Sequence, residues 1–339
     1  MRSGTETVFE NLVAQARLAG HEVHLVCGFQ HDRAGVPAEA TAVDVRGRGA
    51  SAWPRMAVAA LSAARRVRPD VVLSNSIEVV VPGVPTVTIV HDLNFGGTAR
   101  GGGAAARRTF YRVQSTALAR LVAVSEVTRD ALVGIGVPAA KVVTIHNGVA
   151  QNHFRPDRRP PDDEVRFVHV SRIMGGKGQH CALDALARMR PDQRKHLRLD
   201  IVGTVADKLY ADQLRIQAWQ LPVRFHFDVH DVLPWYQAAD IAVFPTRMLE
   251  GFGYGAIEAM AVGLPVVNFD DPAVKEATGG HTVAVPRDDI VGLRDAMLRL
   301  SADPAERARL GAEGREWVSR YRWETTWRAY EQLLGSLRS

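Results

Sequence analysis

Cysteine is nearly absent from this chain. Cys27 and Cys181 are the only two among 339 residues, too few for a disulfide framework or a cysteine-rich zinc site. A reducing, cytoplasmic setting is therefore expected. Long apolar runs are missing as well. The most apolar stretch, VVVPGVPTVTIVHD, is broken by Pro82 and Pro85 and is too short to span a bilayer. The opening MRSGTETVF lacks the apolar segment of a secretory leader. Neither sign of charge dominates: 42 basic residues stand against 37 acidic ones, a net charge of +5. So small a surplus suits an anionic small ligand or a membrane surface and does not call for nucleic acid. Signatures of several chemistries are also lacking. There is no Asp-x-Asp pair for a metal-bound diphosphate, no H-E-x-x-H, no G-x-S-x-G elbow and no Walker loop. No metal ligand set and no resident cofactor are expected.

What is present reads as a soluble α/β protein, with 46% hydrophobic and 23% charged residues. The length is enough for two domains with separate cores. Apolar, β-branched runs alternate with helical patterns: EVHLVC, DVVLSN, TVTIVHD, LVAVS and VVTIHN in the first half, RFVHVS, RLDIVG, ADIAVFP and PVVNF in the second. Their continuous apolarity is that of strands covered on both faces. Helices are expected at 5–19, 52–67, 177–189 and 206–218, giving repeated βαβ units and hence doubly wound parallel sheets. Residues 147–164, NGVAQNHFRPDRRPPDDE, break the rhythm with prolines and charges and mark the domain boundary. The expected division is an N-terminal domain over 1–150 and a C-terminal domain over 151–320, two Rossmann-like units facing across a cleft. The stretch from Pro304 to Leu337 reads as entirely helical, with Trp317, Tyr321, Trp323, Trp327 and Tyr330 as core anchors. One feature departs from the pattern: the first helix starts almost at residue 4, so the opening strand of the first domain is expected to be missing.

Two strand–turn–helix junctions carry candidate chemistry, because free amides and the helix dipole converge there on anions. In FVHVSRIMGGKGQHCALDAL, Arg172 offers a planar fork and Lys177 a point charge to phosphate, flanked by Gly175, Gly176 and Gly178. In FPTRMLEGFGYGAIEAMAVG, glycines let backbone approach a ligand. Glu250 lies in the loop, and Glu258 lies one or two turns into a helix expected between Gly255 and Gly263. A carboxylate so placed can accept paired hydrogen bonds from vicinal hydroxyls. Taken singly, each has an ordinary reading: Arg172 and Lys177 as solvated loop charges, Glu250 as a surface acid, Glu258 as an acid complementing the helix dipole. In the first half, His91 and Asp92, Ser125, and His146 and Asn147 all stand at strand C-terminal ends, where such sheets bind ligands. The stretch 100–120, with Arg107, Arg108 and Arg112 beside Phe110 and Tyr111, is a basic, partly amphipathic helix that can rest peripherally on the inner face of a membrane or stay solvated.

Taken together, these motifs resemble the retaining glycosyltransferases of family 4, of GT-B architecture. Glu250-Gly-Phe-Gly followed by Glu258 is similar to the family's E-x7-E motif. VSRIMGGKGQ is similar to its phosphate-binding loop, HNGV to its pre-linker motif, and HDLNF and VSE to its acceptor-side motifs. The resemblance implies that Arg172 and Lys177 bind the donor diphosphate, Glu258 the ribose and Glu250 the donor sugar. It further implies roles for the backbone of Phe252 and Gly253 at the donor phosphate or sugar, and for the main chain at Val229 in reading the base. His91 would stand beside the reacting sugar, and Gly4 would approach the phosphates. The last helix, about 321–339, would pack back onto the first domain. Phe227 stands where the family usually has Gly. The substrates implied are a nucleotide-diphosphate sugar and a hydroxyl-bearing acceptor. A same-fold epimerase, a coupling enzyme with a non-sugar acceptor and an inactive sugar-nucleotide binding module are the alternatives.

Overall fold

The computed structural model describes residues 4–29, 38–44, 52–75, 77–92, 102–151, 153–154, 163–229 and 231–337. Leu93 to Phe95 of the HDLNF motif, residues 100–101 of the basic stretch and residues 155–162 of the proline-rich segment lie outside them. The chain divides into two compact units. One comprises Met1–Thr7 and Asn147–Arg322; the other comprises Val8–His146 and Trp323–Ser339.

The unit from Val8 to His146 begins within helix α1 (Gly4–Leu18) and continues through β1 (Val26–Phe29), β2 (Thr41–Asp44), α2 (Ala52–Val67), β3 (Val72–Ser74), β4 (Thr86–Val90), α3 (Gly102–Ala117), β5 (Arg120–Ala123), α4 (Glu126–Gly134) and β6 (Val142–Thr144). All strand pairs are parallel, but they form two separate sheets: β1-β2 and β3-β4-β5-β6. Among the described residues no strand bridges β1 and β3, so the expected single sheet is divided at the place of its central strand. The core of the four-stranded part holds Ile77, Val90, Leu118, Leu121, Ala123, Leu132, Val137 and Val142. Ser125 caps α4 by accepting from the Thr128 amide at 3.1 Å. The Lys141 ammonium donates to the carbonyls of Ser115, Thr116 and Leu118 at 2.9, 2.7 and 2.8 Å, closing the C-terminal end of α3.

The other unit carries β7 (Val165–Val170), α5 (Gln179–Ala187), α6 (Pro191–Arg194), β8 (Leu197–Gly203), α7 (Lys208–Gln217), β9 (Val223–Phe227), α8 (Leu233–Ala238), β10 (Ile241–Phe244), α9 (Tyr254–Val262), β11 (Val266–Phe269), α10 (Pro272–Thr278), β12 (Val283–Val285), α11 (Ile290–Ala302) and α12 (Pro304–Val318). Its six strands are parallel in the order β12-β11-β10-β7-β8-β9. The chain therefore winds outward from β7 to one edge, returns to pair β10 against β7, and winds to the other. The C-terminal ends of β7 and β10 flank the switch point, where doubly wound sheets bind ligands. One face of the sheet is sealed by Leu183, Leu186, Leu214, Leu293, Met297 and Leu300 from α5, α7 and α11. Each fully buried leucine contributes roughly 2 kcal/mol of transfer free energy. Phe227 packs toward this core, its ring 5.5 Å from that of Phe225 and covered by the Arg215 guanidinium at 4.8 Å.

The last stretch is not one helix. α12 ends at Val318 and α13 (Trp323–Gly335) starts after a four-residue break. Tertiary hydrogen bonds hold it: the Tyr321 carbonyl accepts from the Val149 amide at 3.0 Å, and the Val318 carbonyl accepts from Gln151 Nε2 at 2.9 Å. The Val318 carbonyl also accepts from the Tyr321 amide at 3.0 Å, so a local turn and long-range partners that local propensity does not reveal together hold the break. Trp323, Trp327 and Tyr330 are buried along α13.

Candidate active site

The loop after β7 is shaped by one glycine. Residues Gly175–Lys177 make a single 3-10 turn, and Gly178 follows at φ +73°, so α5 starts at Gln179 rather than at the expected 177. A Cβ at Gly178 would drive into the Pro245 carbonyl oxygen, so the close approach of the two loops requires glycine here. Those loops are also bonded to each other: the amides of Arg247 and Met248 both donate to the Gly176 carbonyl, at 3.0 and 3.2 Å.

Lys177 consequently meets Glu250. Its Nζ lies 2.6 Å from Glu250 Oε1, and both side chains are largely shielded, 16% and 17% exposed. An ammonium carries three donors, so Lys177 held on one side by Glu250 keeps two for other acceptors. Arg172 is exposed, and no hydrogen bond or ion pair of its guanidinium is found among the described residues. Its backbone is fixed from below, because fully buried Gln179 donates to the Arg172 carbonyl and to Ser171 Oγ, both at 2.8 Å. Gln179 Oε1 in turn accepts from Tyr210 Oη at 3.2 Å. His169, wholly buried beside Ser171, has its pKa pushed down to about 3 by desolvation and by the nearby Lys177 charge. It stands neutral under the loop.

Helix α9 begins at Tyr254, one residue before the expected Gly255, and ends at Val262 with Gly263 as its left-handed cap. Gly253 precedes it at φ +78°, and no side chain caps this N-terminus or that of α5. Phe252 is buried, with its ring edge-on to Tyr321 at 5.4 Å. Glu258 sits in the second turn and accepts from Tyr236 Oη at 3.3 Å, a phenol that also reaches the Gly255 carbonyl. Burial raises the Glu258 pKa to about 8, opposed only in part by that hydrogen bond. A neutral acid is thus the resting state at neutral pH. Tyr254 Oη donates to the Gly148 carbonyl at 2.6 Å, tying the helix start to the segment after Asn147. Val229 is half-buried beyond β9, following Asp228 at φ +56°.

One unit therefore contains Arg172, Lys177, Val229, Glu250, Phe252, Gly253 and Glu258, and Gly4 at the start of α1 is grouped with them. His91 belongs to the other unit, at the end of β4. Its ring is hydrogen-bonded to Asn75 Oδ1 at 3.0 Å, and burial lowers its pKa to about 4. Gln179 and Tyr236 were not singled out by motif reading. Only a polar residue inside an apolar helical pattern marks Gln179, and Tyr236 resembles any core aromatic.

Residues 2–153 match the model of Glycosyltransferase Family 4, and residues 164–303 match that of Glycosyl transferases group 1. A glycogen synthase of Mycobacterium tuberculosis is 30% identical over 291 residues, covering 79% of this chain and 69% of that one. The chain belongs to glycosyltransferase family 4. A GDP-mannose-dependent alpha-(1-6)-phosphatidylinositol monomannoside mannosyltransferase of Mycolicibacterium smegmatis is 28% identical, over 63% of this family 4 glycosyltransferase and 62% of that enzyme. Among solved structures, Anabaena HepE in complex with UDP-glucose superposes with a TM-score of 0.80 at 19% identity, covering 99% and 97% of the two chains. Sucrose-phosphate synthase from Thermosynechococcus elongatus does so with a TM-score of 0.80 at 22% identity, covering 99% and 94%. At those identities the likeness is one of fold, the GT-B fold. In this family 4 glycosyltransferase no helix of the described residues is long and apolar enough to cross a membrane.

Proposed function

We propose that this enzyme transfers a glycosyl group from a nucleotide-diphosphate sugar to an acceptor hydroxyl, with retention of configuration and without a metal ion. The observation that carries the reading is the Lys177–Glu250 contact, made at a sheet switch point beside two helix starts that no side chain caps. An ammonium, a guanidinium and two such helix ends suit a diphosphate. Glu250 then faces the sugar and Glu258 the ribose. HepE is known with UDP-glucose bound, and the mannosyltransferase relative depends on GDP-mannose, which supports a nucleotide sugar as donor.

The chemistry follows from the charges. The bond between the anomeric carbon and the diphosphate oxygen breaks, and the acceptor oxygen bonds to that carbon on the same face. The acceptor proton passes to the departing diphosphate. Arg172 and Lys177 stabilise the negative charge that grows there. His91, kept neutral by burial, is assigned to the reacting sugar. The acceptor is a hydroxyl compound, and α3, with Arg108 and Arg112 beside exposed Phe110 and Val113, is the segment assigned to peripheral membrane contact.

The test is nucleotide release from UDP-glucose and GDP-mannose with candidate acceptors, with the product anomer read by NMR and EDTA added in a parallel arm. An inverted product, or loss of activity restored by a divalent cation, would overturn the retaining or the metal-free assignment respectively. Epimerised donor formed without acceptor would replace transfer by the epimerase reading.

A further inference from the structure

The loop that carries Glu250 is held at both ends by one ion pair, a buried Asp271 with a half-buried Arg287. Asp271, 2% exposed, stands between β11 and α10 and uses its two oxygens for different tasks. Oδ1 caps α10, accepting from the amides of Ala273 at 3.0 Å and Val274 at 3.2 Å. Oδ2 faces the loop, accepting from the Glu250 amide at 3.2 Å and from Arg287 Nη2 at 3.2 Å. Arg287 Nη1 donates to the Arg247 carbonyl at 3.1 Å. The four residues Arg247 to Glu250 are thus pinned at their head by Arg287 and at their tail by Asp271. Between those anchors the loop is bonded to the Gly176 carbonyl, one residue before Lys177.

We propose that Asp271 and Arg287 are positioning residues, a clamp that fixes the Glu250 backbone so that its carboxylate meets Lys177. Four hydrogen bonds converge on the Asp271 carboxylate, two of them from outside its own helix. Helix capping needs only Oδ1; an asparagine side chain would serve for that alone. Oδ2 has no role in α10, and its charge-assisted bonds are directed wholly at the loop and at Arg287. A side chain two bonds removed from a ligand acts through the group it holds, and a misplacement of about 1 Å can cost about a hundredfold in rate. The inference rests on the reading of Glu250 as the donor-sugar carboxylate.

Asp271→Asn separates the two tasks. With its amide oxygen at the Oδ1 position the cap persists, while the amide nitrogen presents a donor to the Glu250 amide and to Arg287. Residue-resolved hydrogen exchange and turnover of UDP-glucose and GDP-mannose are measured alongside UDP and GDP affinity. The expected result is at least about tenfold faster exchange at the Glu250 amide, with Ala273 and Val274 changed by less than about twofold. Turnover should fall about tenfold or more, while nucleotide affinity moves by less than about threefold. Arg287→Lys should retain more turnover than Arg287→Ala, since an ammonium keeps the charge but cannot fork to both Asp271 and the Arg247 carbonyl. Glu250→Gln runs as the reference. If it turns over like the wild type, the reading of Glu250 fails, and exchange at its amide still decides whether the clamp exists. If Glu250→Gln is inactive while Asp271→Asn keeps both turnover and Glu250 protection, the clamp is refuted. Equal loss of protection at Glu250, Ala273 and Val274 would also refute it, by reducing Asp271 to a general support of the fold.

Discussion

Glu258 is a half-buried acid whose desolvation should be measurable as pH-dependent instability. Its pKa rises from an ordinary 4.5 to about 8, and desolvation is the leading cause, with the Tyr236 hydroxyl pulling weakly the other way. Below about pH 4.5 the folded and unfolded chains both hold the proton, and the group is neutral to stability. Between that pH and about 8 only the folded chain keeps it, so stability declines as pH rises through this window and levels off above it. The full shift corresponds to at most about 5 kcal/mol. Glu258→Gln keeps the side chain's shape and an acceptor for Tyr236 but has no proton to lose. The unfolding free energy of this variant minus that of the wild type should therefore grow by about 4 kcal/mol from about pH 5 to about pH 9, most of it before pH 8. Urea unfolding of both proteins across that range is the assay. Titrations elsewhere in the chain cancel in the difference because they are common to both proteins. A gap that stays constant with pH would show that the carboxyl is not desolvated and would remove the physical reason for its raised pKa. The same burial bears on binding. A ribose whose hydroxyls donate to Glu258 favours its ionised form, so UDP or GDP binding near neutral pH should release a proton, seen in calorimetry as a heat that varies with the buffer.

Four further outcomes are expected. Arg172→Ala and Lys177→Ala should each reduce turnover at saturating donor about a hundredfold, near 3 kcal/mol of lost transition-state stabilisation, and unchanged rates in both would defeat the phosphate assignment. Gly178→Ala forces a Cβ into the Pro245 carbonyl at a left-handed backbone position and should lower stability by about 2 kcal/mol or more, measured by thermal or urea unfolding. Lys141→Met strands three carbonyls at the end of α3 and should cost about 1–3 kcal/mol of stability, with UDP or GDP affinity unaltered in a calorimetric titration. If α3 contacts membranes, co-sedimentation with anionic vesicles should be strong at low salt, weak at high salt, and diminished by Arg108→Glu with Arg112→Glu.

The strands of the C-terminal unit were legible because continuous apolarity is what two covered faces require. β7, β8, β10 and β11 all lie where RFVHVS, RLDIVG, ADIAVFP and PVVNF place them. β9 was not, since Arg224 and His226 interrupt the apolarity of VRFHF, and β2 and β12 lie outside the apolar runs that were singled out. The start and stop of α9 were readable to within a residue from its flanking glycines, which are local signals. The break before α13 was not, because hydrogen bonds that hold it come from Val149 and Gln151, some 170 residues away.

The candidate site divides in the same way. Which residues bear charge at two strand–helix junctions is written in the sequence, since glycines, Arg172, Lys177, Glu250 and Glu258 each mark their own local geometry. That Lys177 and Glu250 touch was decided only by the sheet order, which brings β10 back beside β7 and so joins segments 73 residues apart. The protonation of Glu258 and the grip of Asp271 on the Glu250 loop were likewise decided by packing. A pKa depends on what surrounds a carboxyl, and a hydrogen bond on what folding carries within reach of it.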